Sequence, residues 1–173
     1  MDKLIEKAFE FANDHHLGQK YGDYNYDKHI QDVFEILNWM EEYKDNLNLL
    51  SSAICHDVIE DCEVHYSELT IKFNREIAFN VWCVSDDKNG FEGYFREIMK
   101  SKTYLKTRSN PDAIIIKLAD RIANVENSIV HRDKSKKFLK MYKEEHKIFR
   151  WNLYVPNHAE KLWTRLDKLI EMI

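Results

Sequence analysis

Glycine and proline are scarce in this chain, four and two among 173 residues, which leaves little to build a fold of many tight turns. Cysteine offers little as a structural device. Cys55, Cys62 and Cys83 are odd in number and lack paired zinc-ligand spacing, so reduced and mostly structural thiols are expected rather than a disulfide framework. The opening Met1-Asp2-Lys3-Leu4 lacks the apolar stretch of a signal peptide, and no later segment approaches membrane-spanning length. A cytoplasmic protein without a membrane partner is the expectation. An excess of positive charge is also missing: 26 Lys and Arg stand against 30 Asp and Glu, a formal net charge of −4 with the signs interspersed. That balance argues against an electrostatic nucleic-acid binder, and the basic stretch from Lys134 to Lys140 reads as a solvated helix face.

What the chain does have is apolar periodicity. With 44% hydrophobic residues, it is long enough for one domain with a substantial core, spanning residues 1–173. Spacings of three and four predict helices carried by Leu4, Ile5, Ala8, Phe9 and Ala12, by Ile30, Val33, Phe34 and Leu37, and by Ile77, Val81 and Val84. Tyr94, Phe95, Ile98 and Met99 predict a further one, and Phe138, Tyr142 and Phe149 another. Asn110-Pro111 is a cap followed by proline at the first helical position. Pro156-Asn157, with Glu160 completing a capping box, predicts the start of the last helix. The fold class is therefore all-α, a compact bundle of roughly eight helices, with main loops at residues 13–28 and 85–92. Trp39, Trp82, Trp151 and Trp163 are expected to pack rather than stack on bases.

Two segments carry chemistry. Leu49, Leu50, Ala53 and Ile54 precede the run His56-Asp57-Val58-Ile59-Glu60-Asp61, and the spacing predicts one continuous helix through it. On such a helix Glu60 lies one turn beyond His56, and Asp61 one turn beyond Asp57. Far along the chain, an aliphatic run interrupted by Lys117 leads to Asp120 and Asn124, again on one helical face. Three carboxylates and an imidazole on neighbouring turns repel and desolvate one another unless a cation or donors compensate, and a divalent ion is the simplest remedy. Cys55 beside His56 does not form a nucleophilic dyad, because adjacent helical side chains point apart.

In these residues the chain resembles the HD-domain metal phosphohydrolases, and within them the guanosine tetraphosphate (alarmone) hydrolases of the RelA/SpoT type, especially their small single-domain metazoan form. His16-Leu17-Gly18-Gln19, with Tyr26 three residues before His29, is similar to the family's His-x-Gly-Gln and Pro-Tyr-x-x-His opening. His56 to Asp61 resembles its His-Asp-x-x-Glu-Asp signature, Val84-Ser85-Asp86-Asp87-Lys88 its Val-Thr-Asp-Asp-Lys, and Lys117 to Asn124 its Lys-Leu-Ala-Asp-Arg-x-x-Asn. The matches run in order over residues 16–124.

The resemblance implies an HD-type helical fold, with His29, His56, Asp57 and Asp120 as metal ligands, Mn²⁺ as the ion, and Glu60 and Asp61 as catalytic carboxylates. It implies that Asn124 contacts the nucleotide. The activity it implies is hydrolysis of the 3′-pyrophosphate of guanosine tetra- or pentaphosphate, with no synthetase half. Lys20 and Lys117 are candidates to offset phosphate charge. Tyr21 is a candidate substrate contact, with loop anchoring an equal alternative. The chain departs from the pattern at Lys20-Tyr21-Gly22-Asp23-Tyr24-Asn25, one residue shorter than the family's loop, with Lys20 its only cation and Asn25 in place of proline. Asn127 stands where threonine is usual. Rival readings are an HD nucleotidase for another nucleotide, a non-catalytic nucleotide-binding module, or a purely structural helical protein.

Overall fold

The computed structural model describes residues 2–86 and 96–173. Asp87, Lys88, Tyr94 and Phe95, and the part of the predicted 85–92 loop beyond Asp86, lie outside the described residues. The fold is all-α. Among the described residues the one sheet is a two-stranded hairpin, β1 (Lys20–Tyr21) antiparallel to β2 (Tyr24–Asn25). It occupies the predicted 13–28 loop and turns at Gly22, where φ is +61°, a conformation that costs glycine nothing.

Capping side chains account for several helix starts. Asp2 caps α1 (Lys3–His15) by accepting from Leu4 N–H, and Asn74 caps α6 (Arg75–Val84) by accepting from Ile77 N–H. Between them come α2 (Asp27–Asn38), α3 (Leu47–Ile54), α4 (Val58–Asp61) and α5 (Tyr66–Lys72). Then follow α7 (Arg96–Arg108), α8 (Pro111–Val130), α9 (Arg132–Leu153) and α10 (Glu160–Glu171). The extra helices relative to the periodicity are the short α4 and α5, each too brief to repeat an apolar face. The last helix begins at Glu160 rather than beside Pro156. Asn157 and Ala159 have positive φ (63° and 55°), so only the reach of Glu160 Oε1 back to Asn157 N–H (3.0 Å) survives of the expected capping box.

Helix α8 is the axis of the molecule and packs against α2, α3, α6, α7, α9 and α10. Its aliphatic run Ile114, Ile115, Ile116 and Leu118 is buried, and at 20 residues it extends about 30 Å through the core. Trp163 packs as expected and is fully buried, whereas Trp39 and Trp151 are 81% and 84% exposed. No helix among the described residues is long and apolar enough to cross a membrane.

Candidate metal centre

The expected continuous helix through the His-Asp run does not form. In an uninterrupted α-helix the Ala53 carbonyl would accept the Asp57 N–H. Instead it accepts His56 Nδ1–H at 2.9 Å, α3 stops at Ile54, and Val58 N–H bonds the nearer carbonyl of Cys55 at 3.2 Å. This is side-chain competition for a backbone partner. It leaves Asp57 at φ −101°, ψ −3°, in the sparsely occupied bridge region where many active-site residues sit. Glu60 and Asp61 sit on the separate turn α4, where the Asp61 N–H still bonds the Asp57 carbonyl one turn back at 2.8 Å while the two carboxylates have different partners. Glu60 Oε2 accepts the Asp86 N–H at 3.0 Å, and Asp61 Oδ2 accepts from Gln19 at 3.4 Å.

The break turns His56 Nε2 toward His29, which α2 presents from its first turn. The two Nε2 atoms are 3.2 Å apart, and both rings are buried. Asp57 Oδ2 lies 2.9 Å from His56 Nε2 and 3.7 Å from His29 Nε2. The ligand atoms of His29, His56 and Asp57 all fall within 4.8 Å of one another. Asp120 Oδ1, from α8, is outside that set of three but lies 3.4 and 3.8 Å from the His29 and His56 nitrogens. Ligands each about 2.1 Å from one ion stand roughly 3.0 to 3.4 Å apart at right-angled to tetrahedral positions, close to these separations. The donor chemistry fits as well. His56 gives its Nδ1 proton to a carbonyl, the usual outer partner of a ligating imidazole, which leaves Nε2 as the ring nitrogen facing inward. His29 Nδ1 is buried with no protein partner among the described residues.

The site is electrostatically negative. Burial opposes charging His56, but the Asp57 carboxylate and then Asp120 outweigh it and push its pKa up to about 9. Burial would raise Asp57, yet His56 holds it well below the ordinary carboxylate range. Burial raises Glu60, with Lys117 acting against that and Asp57 with it. Lys117 donates to the Val84 carbonyl at 3.0 Å and lies 3.8 Å from Asp120 Oδ2. Burial disfavours its charge, but Asp120 and Glu60 more than compensate and raise its pKa. A set of carboxylates that holds one lysine charged and draws a proton onto a buried histidine is a field suited to a divalent cation.

The remaining sequence candidates are distributed as follows. Asn124 donates to Asp120 Oδ1 at 2.5 Å and accepts from the Tyr21 hydroxyl at 3.1 Å. Lys20 is exposed and bonds Asn25 across the hairpin at 2.7 Å. Cys55 faces the Ala8 carbonyl, and burial pushes its thiol pKa up, which removes it as a nucleophile. Two contributors had no assigned role in the sequence. Asp86 holds Glu60 through its backbone N–H, and the Tyr26 hydroxyl donates to Asp57 Oδ2. Both sit inside quoted motifs; nothing in residue type alone marks a backbone donor. A cavity of about 580 Å³ opens beside α4, lined by Glu60, Asp61, Trp82, Ser85, Asp86 and Lys106.

No protein-family model matches the chain. Three curated proteins do. A guanosine-3′,5′-bis(diphosphate) 3′-pyrophosphohydrolase from Aquifex aeolicus is 29% identical over 147 residues, covering 84% of this chain and 20% of that protein. One of the same name from Spiroplasma citri is 32% identical over 130 residues, 72% of this chain and 17% of that protein. The enzyme of that name, MESH1, from Danio rerio is 28% identical over 127 residues, 72% of this chain and 68% of that protein. The chain thus spans about a fifth of the length of the two bacterial relatives. Among solved structures, one described as a metazoan ortholog of SpoT that hydrolyzes ppGpp superposes with a TM-score of 0.77, covering 99% of this chain and 96% of that one. At 21% identity that likeness speaks for the fold. The resemblance drawn from the motifs, to the SpoT-type guanosine tetraphosphate hydrolases in their small form, therefore extends to sequence similarity across most of the chain and to its fold.

Proposed function

We propose that this protein is a metal-dependent phosphohydrolase that removes the 3′-pyrophosphate of guanosine tetra- or pentaphosphate, giving GDP or GTP and pyrophosphate. The observation that carries this reading is the convergence of buried His29 and His56 with half-buried Asp57, and with Asp120 against both imidazoles. The names of the three relatives support the choice of substrate. In this reading His29, His56, Asp57 and Asp120 hold Mn²⁺, two nitrogen and two oxygen donors suited to a first-row ion. The ion, when bound, supplies Lewis-acid polarisation of a phosphoryl oxygen and makes hydroxide available near neutral pH.

The protein's own groups do the rest. The phosphorus next to the 3′-oxygen is attacked by water, the P–O3′ bond breaks, and the 3′-oxygen leaves with a proton. Glu60, whose carboxyl burial pushes above the ordinary range, is suited to accept the water's proton and return it to the 3′-oxygen. The Asp86 N–H fixes its orientation. Asp61, exposed on the same turn, orients the water or a phosphate. Lys117 offsets charge from within, Lys20 meets phosphate from the exposed edge of the hairpin, and Asn124 contacts the nucleotide.

The experiment is hydrolysis of guanosine tetraphosphate by the purified protein with Mn²⁺, followed by separation of the nucleotide products. GDP with stoichiometric pyrophosphate, abolished by chelator, is the expected result. An inert guanosine tetraphosphate alongside cleavage of another nucleotide would move the activity to a different HD nucleotidase.

A further inference from the structure

His29 and His56 are held in different ways. His56 has the Ala53 carbonyl on Nδ1, but His29 Nδ1 is buried without a protein acceptor among the described residues. A ligating histidine without that bond needs something else to set its ring plane. Around His29 that role falls to aromatic packing. The Tyr21 ring lies 4.7 Å from it, tilted by 36°, and the Tyr26 ring meets it edge-on at 5.3 Å. Tyr26 is in turn stacked on His16 at 4.2 Å.

Of the same two tyrosines, Tyr26 reaches one carboxylate directly and Tyr21 reaches the other through Asn124. The Tyr26 hydroxyl donates to Asp57 Oδ2, the oxygen nearest His56 Nε2. The Tyr21 hydroxyl donates to Asn124 Oδ1, and the Asn124 amide donates to Asp120 Oδ1, the oxygen facing His29 Nε2. A carboxylate oxygen has two lone-pair directions. On each of these oxygens a protein donor takes one, which leaves the other available to an ion held at the imidazole pair.

We infer that Tyr21 and Tyr26 are positioning residues of the metal centre: the hairpin that carries Tyr21 and the turn that carries Tyr26 clamp His29 between two rings and orient Asp57 and Asp120. Tyr21, a candidate substrate contact by its place in the loop, is assigned to this role instead. The inference rests on reading the cluster as a metal site but not on the identity of the substrate.

The test is the Mn²⁺ affinity of the full chain, read from the free-ion electron paramagnetic resonance signal, alongside hydrolysis rates. Tyr26→Phe removes one hydroxyl, Tyr21→Phe the other, and Tyr21→Leu the ring as well. Outer partners of this kind alter affinity by about 10- to 100-fold. Tyr26→Phe and Tyr21→Leu are expected to weaken Mn²⁺ binding at least about tenfold, and Tyr21→Phe by less, while metal-free thermal unfolding of Tyr26→Phe and Tyr21→Phe stays near that of the unaltered protein. Equal Mn²⁺ affinity in all variants overturns the inference. If Tyr26→Phe fails to fold, the contrast between Tyr21→Leu and Tyr21→Phe decides. Unaltered protein that binds Mn²⁺ in a tyrosine-dependent way yet leaves guanosine tetraphosphate intact sinks the proposed substrate and leaves the clamp standing. Unaltered protein that binds no Mn²⁺ sinks both.

Discussion

His56 bonds the Ala53 carbonyl through Nδ1, and this one 2.9 Å contact both ends α3 and aims Nε2 at His29. Local backbone geometry and site chemistry are therefore the same event. His56→Ala is expected to lose Mn²⁺ binding by more than about 100-fold, beyond the range seen when only an outer partner is removed. Calorimetric titration checks it. Affinity within a few-fold of the unaltered protein would exclude His56 as a ligand.

Glu60 is anchored by the Asp86 N–H, a bond that a glutamine carbonyl can still accept. Glu60→Gln should therefore keep the turn and the metal while removing the proton acceptor. Loss of general-base action lowers turnover by about 10²- to 10⁴-fold, with Mn²⁺ affinity nearly unchanged. Single-turnover hydrolysis at saturating metal measures this. An unaltered rate would relieve Glu60 of its role.

Metal removal should be visible in stability. An ion that binds only the folded chain adds about 2.7 kcal/mol at a hundredfold excess over its dissociation constant. Chelator should therefore lower the melting temperature of the Mn²⁺-loaded protein, and should leave Asp57→Asn unaffected in the same scan. Identical chelator responses in the two proteins would contradict a site at Asp57.

His16 is buried between Gln19, Cys62 and the Tyr26 ring, and burial lowers its pKa from the ordinary 6.5, with the Gln19 bond acting in the opposite direction. The unfolded chain binds this proton more readily than the folded one. The stability tied to neutral His16 is therefore full above pH 6.5 and is lost as the pH falls through the folded value. The difference between the unaltered protein and His16→Asn in urea unfolding of the metal-free form, from about pH 7.5 to 5, isolates this slope from the opposite one that His56 contributes through its raised pKa. Equal slopes in the two proteins would remove His16 as its source.

Asn110 caps α8 through Asp112 N–H at 3.0 Å and also donates to buried Asn80 Oδ1 at 2.7 Å. Losing a cap costs about 1 kcal/mol, and leaving a buried acceptor unpaired about 1 to 3 kcal/mol more. Asn110→Ala should therefore destabilise by roughly 2 to 4 kcal/mol. Asn110→Asp keeps the cap acceptor but not the donor to Asn80, so its chemical denaturation separates the two contributions. A cost for Asn110→Ala below about 0.5 kcal/mol would show that neither bond matters.

The helices were legible where an apolar face repeats, as in α1, α2, α6 and α8, and where a cap precedes it, as at Asn110-Pro111. Helices α4 and α5 were not, because four and seven residues do not complete a pattern of period 3.6. The start of α10 was misplaced because the left-handed conformation of Ala159 has no signature in residue type. Asp61, Glu60 and the His-Asp pair were legible as a group, and the Asp61 N–H does bond the Asp57 carbonyl one turn back. The break after Ile54 was not legible, because it depends on the His56 side chain taking the Ala53 carbonyl.

Composition and motif order by themselves determined an all-α chain and the residues that could hold an ion, since periodicity and residue chemistry are properties of short segments. Only the tertiary structure decided that His29 and His56 face each other at 3.2 Å, that Asp120 from a segment 63 residues beyond Asp57 meets them both, and that Tyr26 bonds Asp57 while Tyr21 bonds the Asn124 that holds Asp120. Those relationships arise from packing α2, α8 and the hairpin around the break after Ile54. Convergence of distant side chains depends on how helices pack in space, and no local pattern encodes it.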